Sequence, residues 1–440
     1  MDKQKYMLVR VSYDARVASV EPLGLEYLAG VLKEEDREYV FHDECLYNRF
    51  FRLRRIIKKI RKHAISAVCF TVMSDKAERI LKIITKLKKL CPELTIIVGG
   101  PEVNINYEDF FLDDIDFVYY DYGLDSFKYA VSCDFNMQSI RKTNGIAYKD
   151  NGKWISNPHG HPVAWYNVKP DRNLYYENRN KYRIIAKGSF STIKTTFSCQ
   201  QECNFCISRQ FNGGVYRERD VDVVVDEILE IDNDRIWLVD DDFLANKERV
   251  RAICEKLIEK NCFRTYMIFA RADSVVNCED IMPLLYKAGF RDMLVGLEAV
   301  DDEILDQYNK KSSVSINEAA IKLLRDNNML CNGLFVINYT FNHKNFREIS
   351  RFIRTQKLIW VLFSILIPFK GTKIYEENYH KLYKYRYKRT DGTYILLKPE
   401  KIPGFIFSIR FHLLYYINYP RLYLAALSGY YKKYINKGGH

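Results

Sequence analysis

The sequence of 440 residues is long enough for two or three domains, each with a hydrophobic core of its own. Apolar residues make up 48% of it and charged residues 28%, which excludes a chain that is disordered throughout. Lys and Arg exceed Asp and Glu by 68 to 56, but a solvated surface explains this excess, so nucleic acid is not expected as a partner.

The cysteines and the N-terminal residues indicate the compartment. The first residues, MDKQKYMLVRV, contain no apolar segment of the kind that precedes a signal cleavage site. Eleven cysteines in a long chain are typical of a compartment where thiols stay reduced, so we expect a cytoplasmic protein. No window of 18 or more uncharged apolar residues is present, so no transmembrane segment is expected.

Residues 1–135 alternate between short apolar runs and amphipathic segments. We predict strands near residues 6–12, 39–44, 67–73, 94–101 and 115–121. The segments between them carry apolar residues at helical spacing. Strands that alternate with helices form parallel sheets, so the segment is predicted to be a doubly wound, Rossmann-like α/β domain. Ligands of such domains bind beyond the carboxyl ends of the strands.

Residues 136–190 differ in composition from the preceding segment. Gly, Asn and Pro are frequent, and β-like runs surround Ile146 and Trp154, which predicts a linker with a small hairpin. His159 and His161 form an H-G-H pair that could bind a metal, although we favour a turn at this position.

Residues 191–374 return to the alternation of strands and helices. Six strands with five intervening helices predict a partial (β/α)6 barrel, which is three-quarters of a TIM-type barrel. Charged residues at the carboxyl ends of barrel strands line the active site. The residues in such positions are Asp240, Asp241, Asp242, Arg271 and Glu298. As an alternative, the carboxylates could cap the helices that follow.

Three cysteines directly follow the first strand of this segment. Cys199, Cys203 and Cys206 have the spacing C-x3-C-x2-C, so their sulfurs can face a common centre. Thiolates select iron–sulfur clusters, zinc or copper(I). A structural zinc site needs four protein ligands, and the nearest later cysteine, Cys254, lies in a helical pattern. A cubane held by three cysteines leaves one iron open to a substrate or cosubstrate, which favours a reactive centre.

This cysteine motif, with Phe205 before the last cysteine, resembles that of the radical S-adenosylmethionine (SAM) enzymes. The resemblance implies that Cys199, Cys203 and Cys206 hold a 4Fe–4S cluster. It also implies that SAM chelates the open iron and is cleaved to a 5′-deoxyadenosyl radical. An electron donor such as flavodoxin or ferredoxin is then expected as a partner.

The resemblance extends to residues at the ends of the next barrel strands. Asp241 or Asp242 would neighbour the amino group of SAM, within a D-D-x-F type segment that includes Phe243. Arg271 would face the carboxylate of SAM, and Glu298 its ribose or a nearby polar group. Phe205 would belong to the same cofactor site.

The N-terminal segment resembles the cobalamin-binding domain that precedes the radical domain in one large class of this family. Residues 21–32, 69–75 and 96–103 carry the resemblance, and Gly99 and Gly100 would let the backbone approach the flat cofactor. Where the class shows a Gly-Glu-Gly-Glu run, this chain has residues 121–124, DYGL. No D-x-H-x-x-G motif is present, and His42 is expected at the surface rather than on cobalt.

The remaining residues, 375–440, are rich in Tyr, Lys and Arg and contain two amphipathic helical segments. They are predicted to form a C-terminal helical extension that closes the barrel. The alternative is an interfacial helix that gives peripheral contact with a membrane or a lipid substrate.

The leading hypothesis is therefore a cobalamin-dependent radical SAM enzyme that transfers a methyl group to an unactivated carbon. A second is a radical SAM enzyme that does not methylate but forms a rearrangement, cross-link or ring on a peptide or lipid, with an altered cobalamin domain. A third is a binding protein with a structural metal. Neither the substrate nor the oligomeric state is predicted.

Overall fold

The computed structural model describes residues 3–11, 19–47, 52–121, 123–160, 168–184, 187–211, 214–383 and 392–427, with side chains as far as residue 418. His161 lies outside these ranges, as do residues 428–440 of the predicted C-terminal extension. The chain divides into two compact units, Met1–Ser189 and Phe190–His440.

The first unit contains a seven-stranded sheet in the order β2-β1-β3-β4-β5-β6-β7. Strands β1 to β5 are parallel, while β6 pairs antiparallel with both β5 and β7. The strands are β1 (Tyr6–Arg10), β2 (Tyr39–Asp43), β3 (Ala67–Thr71), β4 (Thr95–Gly99), β5 (Phe117–Tyr119), β6 (Ile146–Asp150) and β7 (Lys153–Ser156). The helices are α1 (Leu23–Glu34), α2 (Arg52–His63), α3 (Ala77–Leu90), α4 (Pro101–Asn106), α5 (Leu124–Ser132), α6 (Met137–Ile140) and α7 (Asn173–Asn178).

Helices cover both faces of this sheet because alternate strand residues point to opposite sides. Tyr6 and Leu8 pack with the apolar residues of α1 and α5, whereas Met7 and Val9 pack with those of α2 and α3. The predicted doubly wound fold is confirmed. The predicted hairpin at Ile146 and Trp154 is β6 and β7, which extend the N-terminal sheet.

The second unit contains a six-stranded parallel sheet in the order β15-β14-β13-β12-β11-β8 and a short antiparallel pair of β9 and β10. The strands are β8 (Ser191–Ile193), β9 (Thr196–Phe197), β10 (Arg217–Glu218), β11 (Arg235–Leu238), β12 (Thr265–Arg271), β13 (Phe290–Glu298), β14 (Leu330–Ile337) and β15 (Val361–Ile365). The helices are α8 (Ser208–Phe211), α9 (Val221–Glu230), α10 (Lys247–Glu259), α11 (Ala272–Asn277), α12 (Met282–Ala288), α13 (Asp302–Gln307), α14 (Val314–Asp326), α15 (His343–Thr355), α16 (Lys373–Asn378) and α17 (Gly404–Leu427).

The strand order of this sheet follows the chain, as the partial barrel requires. All nine residues of β13 are buried, which is typical of a central strand covered on both faces. Asp220, Asn246 and Ser313 begin α9, α10 and α14 by accepting hydrogen bonds from backbone N–H groups of the first turn. The predicted six-stranded barrel segment is confirmed.

The C-terminal extension differs from the sequence prediction in its helix count. The first predicted helical segment and the start of the second form one helix, α17. Phe407, Phe411 and Leu414 are buried in the core of the second unit, so this helix packs on the barrel segment. Within the described ranges, no helix is both long enough and apolar enough to cross a bilayer.

Candidate active site

The three cysteines lie on the loop that follows β9. Ser198, directly before them, is buried and has φ of 68°, a left-handed conformation that turns the chain out of the strand. Cys199, Cys203 and Cys206 are unpaired and half-buried. The three side chains lie close enough to interact electrostatically. A negative charge on Cys206 raises the pKa of Cys199, and a negative charge on Cys203 raises the pKa of Cys206.

Burial favours the protonated form of two of these thiols, Cys199 and Cys206. It raises the pKa of Cys199 to about 11, and it also raises the pKa of Cys206 although hydrogen bonds with Ser208 lower it. Metal ions bind the thiolate, so occupation of the loop by iron would release protons. Within the described part of the chain, no three His, Cys, Asp or Glu side chains converge on a single ion position.

Asn204 ties the cysteine loop to two distant segments of the second unit. Its N–H donates to the carbonyl oxygen of Tyr308 at 2.9 Å, and its side-chain amide donates to that of Gln307 at 2.8 Å. Its own carbonyl oxygen accepts from the N–H of Ile374 at 3.2 Å. These bonds hold the loop against the turn after α13 and the start of α16.

Phe205, assigned to the cofactor site by resemblance, contacts the same turn. Its ring meets that of the buried Tyr308 edge-on at 5.1 Å between centroids. The side-chain amide of Asn309 donates to the carbonyl oxygen of Glu202 at 2.8 Å. Phe205 therefore holds the part of the loop between Cys203 and Cys206 against the barrel segment. An aromatic side chain can form this edge-on contact.

Asp240 positions the chain that leads to the cysteines. Its carboxylate is fully buried and accepts from the N–H groups of Thr195 at 2.6 Å and Thr196 at 2.8 Å. The helix that follows is capped by Asn246 instead. The alternative that these carboxylates cap the next helix is thus wrong for Asp240, which joins the ends of two neighbouring strands.

Asp241 and Asp242 differ in how far their oxygens are satisfied. One oxygen of Asp242 accepts from the N–H of Arg271 at 3.3 Å and the other from the hydroxyl of Ser274 at 2.6 Å, while burial raises its pKa to about 6. Oδ2 of Asp241 is buried without a hydrogen-bond partner, and it forms an ion pair with the Lys194 ammonium at 3.6 Å. Of the two, Asp241 therefore has the oxygen whose hydrogen-bonding capacity is unused.

Arg271 contacts both a carboxylate and a cysteine of the loop. Its guanidinium forms a two-point bond with Asp273, at 2.9 and 3.0 Å. The remaining terminal nitrogen donates to Sγ of Cys203 at 3.4 Å, and a further N–H donates to the carbonyl oxygen of Lys310. The planar fork that could bind a ligand carboxylate is therefore already held by Asp273.

Glu298 forms a buried ion pair that the sequence did not reveal. Its carboxylate accepts from the Lys310 ammonium at 2.8 Å, and both side chains are buried. Burial lowers the pKa of Lys310, but the charge of Glu298 raises it and the net shift is upward. A Cβ on Gly296 would lie 2.5 Å from the Glu298 carboxylate and 3.0 Å from the ammonium, so a larger residue at this position would displace the pair.

Lys310 could not be identified from sequence because nothing distinguishes it from its neighbour Lys311. Both follow Asn309 in a polar turn. Only the fold shows that Lys310 is buried while Lys311 is exposed. The observation that reveals the pair is a structural one. Glu298 has a left-handed φ of 61°, and its carboxylate lies against the turn that carries Lys310.

The carboxyl edge of the first sheet contains the residues assigned to cobalamin. A Cβ on Gly100, which has φ of 106°, would lie 2.8 Å from the Thr71 hydroxyl and 2.9 Å from the N–H nitrogen of Val72, so the fold itself requires this glycine. Gly99 precedes it at the end of β4, and Met73, 46% exposed, follows β3. The turn at Gly99 and Gly100 has no side chains, and the exposed Met73 side chain lies at the same edge of the sheet. This arrangement leaves an apolar surface at the strand ends that suits a flat macrocycle.

The sequence expectation is wrong for one histidine of this unit, His42, and agrees with the structure for another, His159. His42, expected at the surface, is only 1% exposed and stacks on Tyr47 at 5.4 Å, because it points from β2 toward α2. Burial lowers its pKa to about 4. His159 is exposed and lies 2.8 Å from Asp121, which also accepts from the N–H of Gly160, as expected for a turn.

Comparison with known proteins places both units in families. Residues 193–353 match the radical SAM superfamily and residues 12–130 match the B12 binding domain. The chain is 24% identical over 394 residues to an anaerobic magnesium-protoporphyrin IX monomethyl ester cyclase of Rubrivivax gelatinosus, covering 86% of this chain and 70% of that protein. It is 24% identical over 370 residues to an uncharacterised methyltransferase of Pyrococcus horikoshii, covering 81% and 78%.

The fold is also similar to a solved structure. The cobalamin-dependent SAM radical enzyme OxsB, solved with aqua-cobalamin and SAM, superposes with a TM-score of 0.68 at 19% identity. The match covers all of this chain but only 63% of the OxsB chain.

A B12 binding domain together with a radical SAM domain defines the class of cobalamin-dependent radical SAM proteins. The chain contains a match to each of these two domains, in this order, which confirms the resemblance seen in the sequence. The cofactors of these two domain families are a 4Fe–4S cluster with SAM, and cobalamin.

Proposed function

We propose that the chain cleaves SAM reductively at a 4Fe–4S cluster held by Cys199, Cys203 and Cys206, and that it methylates an unactivated carbon. The observation that carries the proposal is the loop with three half-buried, unpaired thiols, bound to segments at the carboxyl ends of the barrel strands. When bound, the cluster supplies one electron to SAM and cobalamin supplies a methyl group.

The residues around the loop would bind and orient the cofactor. The unpartnered oxygen of Asp241 would accept from the amino group of SAM. Arg271 would hold the cysteine loop through Cys203 rather than bind the SAM carboxylate, because its fork is already paired with Asp273. Glu298 and Lys310 would close the floor of the site as a buried, mutually neutralised pair.

The test compares cysteine variants after anaerobic reconstitution with iron and sulfide. We expect Cys199→Ala to lose most of its iron, and dithionite reduction with SAM to give no 5′-deoxyadenosine, which mass spectrometry measures. Cys133→Ala, which removes another half-buried free thiol, should behave as the wild type. Iron binding and 5′-deoxyadenosine formation by Cys199→Ala at wild-type levels would show that the assignment is wrong.

A second candidate function is ring formation or another radical reaction without methyl transfer. The similarity to the cyclase, which covers 86% of this chain, favours it. Methyl transfer requires bound cobalamin and adds one CH2 to the substrate, whereas ring formation adds no carbon. Cobalt content, corrin absorbance and the product mass with methyl-deuterated SAM distinguish the two.

The substrate is a small molecule, and we propose a lipid or a peptide as its finer class. A flavodoxin or ferredoxin would supply the electron, since the cluster must be reduced to act. We propose the cytoplasm as the compartment, because all eleven cysteines, each within the described residues, are unpaired. The alternative of a metal-stabilised binding protein predicts zinc in place of iron and labile sulfide in the same preparation.

A further inference from the structure

Helix α17 is apolar on two opposite faces, and only one of them is covered. Phe407, Phe411 and Leu414 point into the core of the second unit. The opposite face exposes Phe405 by 70%, Ile409 by 55%, Leu413 by 39%, Tyr416 by 72% and Ile417 by 46%. His412 is also exposed on this face, which is otherwise apolar. An exposed apolar patch of this kind marks an interaction site.

The orientation of the helix is fixed, so the exposed face cannot turn inward. The ring of Phe407 meets that of Phe346 edge-on at 5.3 Å. The hydroxyl of Tyr415 accepts from the N–H of Phe363 at 3.2 Å and donates to the carbonyl oxygen of the same residue. These contacts join α17 to α15 and β15 and keep Phe405 and Tyr416 outward.

The charge of this part of the chain identifies the kind of surface that fits. After Glu400 the sequence contains no Asp or Glu. Its Lys and Arg residues are Lys401, Arg410, Arg421, Lys432, Lys433 and Lys437. An apolar face with aromatic residues, accompanied by positive charge alone, matches the boundary between anionic headgroups and acyl chains.

We propose that the outward face of α17 docks the protein on an anionic phospholipid bilayer. The helix lies in the plane of the interface, with its inner face still on the barrel and Phe405, Ile409 and Tyr416 among the upper acyl chains. Basic residues contact the headgroups. The proposal goes beyond the radical chemistry and does not depend on cofactor loading.

The test is co-sedimentation of the full chain with vesicles. We expect binding to vesicles of phosphatidylcholine with phosphatidylglycerol, weaker binding to phosphatidylcholine alone, and release at high salt. Combined Phe405→Ser, Ile409→Ser and Tyr416→Ser should reduce binding roughly tenfold or more, since the triple variant removes the three most exposed apolar side chains of this face. Phe263→Ser, which removes a side chain that is 55% exposed elsewhere in the same unit, is the matched control.

Two results would overturn the proposal. One is equal binding of the wild type and the triple variant to anionic vesicles. The other is a wild-type dimer in sedimentation velocity that the triple variant converts to a monomer, without vesicle binding by the wild type, because a second copy then covers the face. Iron and cobalt contents that match the wild type would show that the triple variant is folded, which keeps this result separate from a failure of the proposed function.

Discussion

The guanidinium of Arg271 forms different contacts from the one that the sequence predicted. The resemblance assigned it to a ligand carboxylate, but Asp273 occupies its fork and Cys203 accepts one of its N–H groups. Hydrogen bonds to cluster sulfurs and nearby positive charge stabilise the reduced form of an iron–sulfur cluster. Arg271 is therefore a candidate positioning residue that also tunes the cluster.

We expect Arg271→Met to lower the midpoint potential of the reconstituted cluster and Arg271→Lys, which keeps the charge, to lower it less. The measurement is a redox titration followed by electron paramagnetic resonance without SAM, so it does not depend on turnover. Arg251→Met, a change to a partly exposed arginine in the same unit, should leave the potential unchanged. A wild-type potential in Arg271→Met with full iron content would contradict the proposed contact.

The ion pair of Glu298 and Lys310 is a second feature at the scale of single residues. We expect Lys310→Met to reduce the free energy of unfolding by about 3–5 kcal/mol, because it leaves a buried carboxylate without its partner. The exposed neighbour gives the control Lys311→Met, which should be nearly neutral. Urea denaturation measures both.

The double variant Lys310→Met with Glu298→Gln removes both charges. It should recover part of the stability that Lys310→Met loses, because the buried negative charge is gone. Equal loss in the single and double variants would indicate that the methylene stem of Lys310, rather than its charge, contributes the stability.

At the scale of elements, α1 of the first unit is held by the chain segment that begins at residue 168. The N–H of Asp171 donates to the carbonyl oxygen of Glu26 at 2.9 Å, and Arg172 pairs with Glu21 at 2.7 Å. A Cβ on Gly30 would lie 2.0 Å from the carbonyl oxygen of Lys169. Close approach of the two segments therefore depends on this glycine.

Gly24 of the same helix provides a matched control for that contact, since a Cβ there would meet no atom within 4 Å. We expect Gly30→Ala to destabilise by about 1–3 kcal/mol through steric overlap. Gly24→Ala should stabilise by up to about 1 kcal/mol through helix propensity. Hydrogen exchange of peptides that cover 23–34 and 168–172 reports the local effect. Faster exchange in both variants would contradict the role of the contact.

For the whole molecule, the sequence predicted the two parallel sheets because the alternation of strand and helix patterns is a local property. It predicted the cysteine motif for the same reason. The membership of β6 and β7 in the first sheet, the burial of His42 and the pairing of Lys310 depend on contacts between distant residues, which no local pattern records. The choice between Asp241 and Asp242 likewise required knowledge of which oxygen has a partner.

The bonds of the cysteine loop have a mechanical consequence for the second unit. Strands β8 and β15 are the two edge strands of this open six-stranded sheet. The N–H of Ile374 donates to the carbonyl oxygen of Asn204, and the side-chain amide of Gln210 donates to that of Gly371 at 2.7 Å. These two bonds connect the segment after β9 to the segment after β15, across the open side of the sheet. A motion that separates β8 from β15 would therefore strain the loop that carries the cysteines. In the proposed reaction, a substrate that separated these strands would thus disturb the cysteines assigned to the cluster.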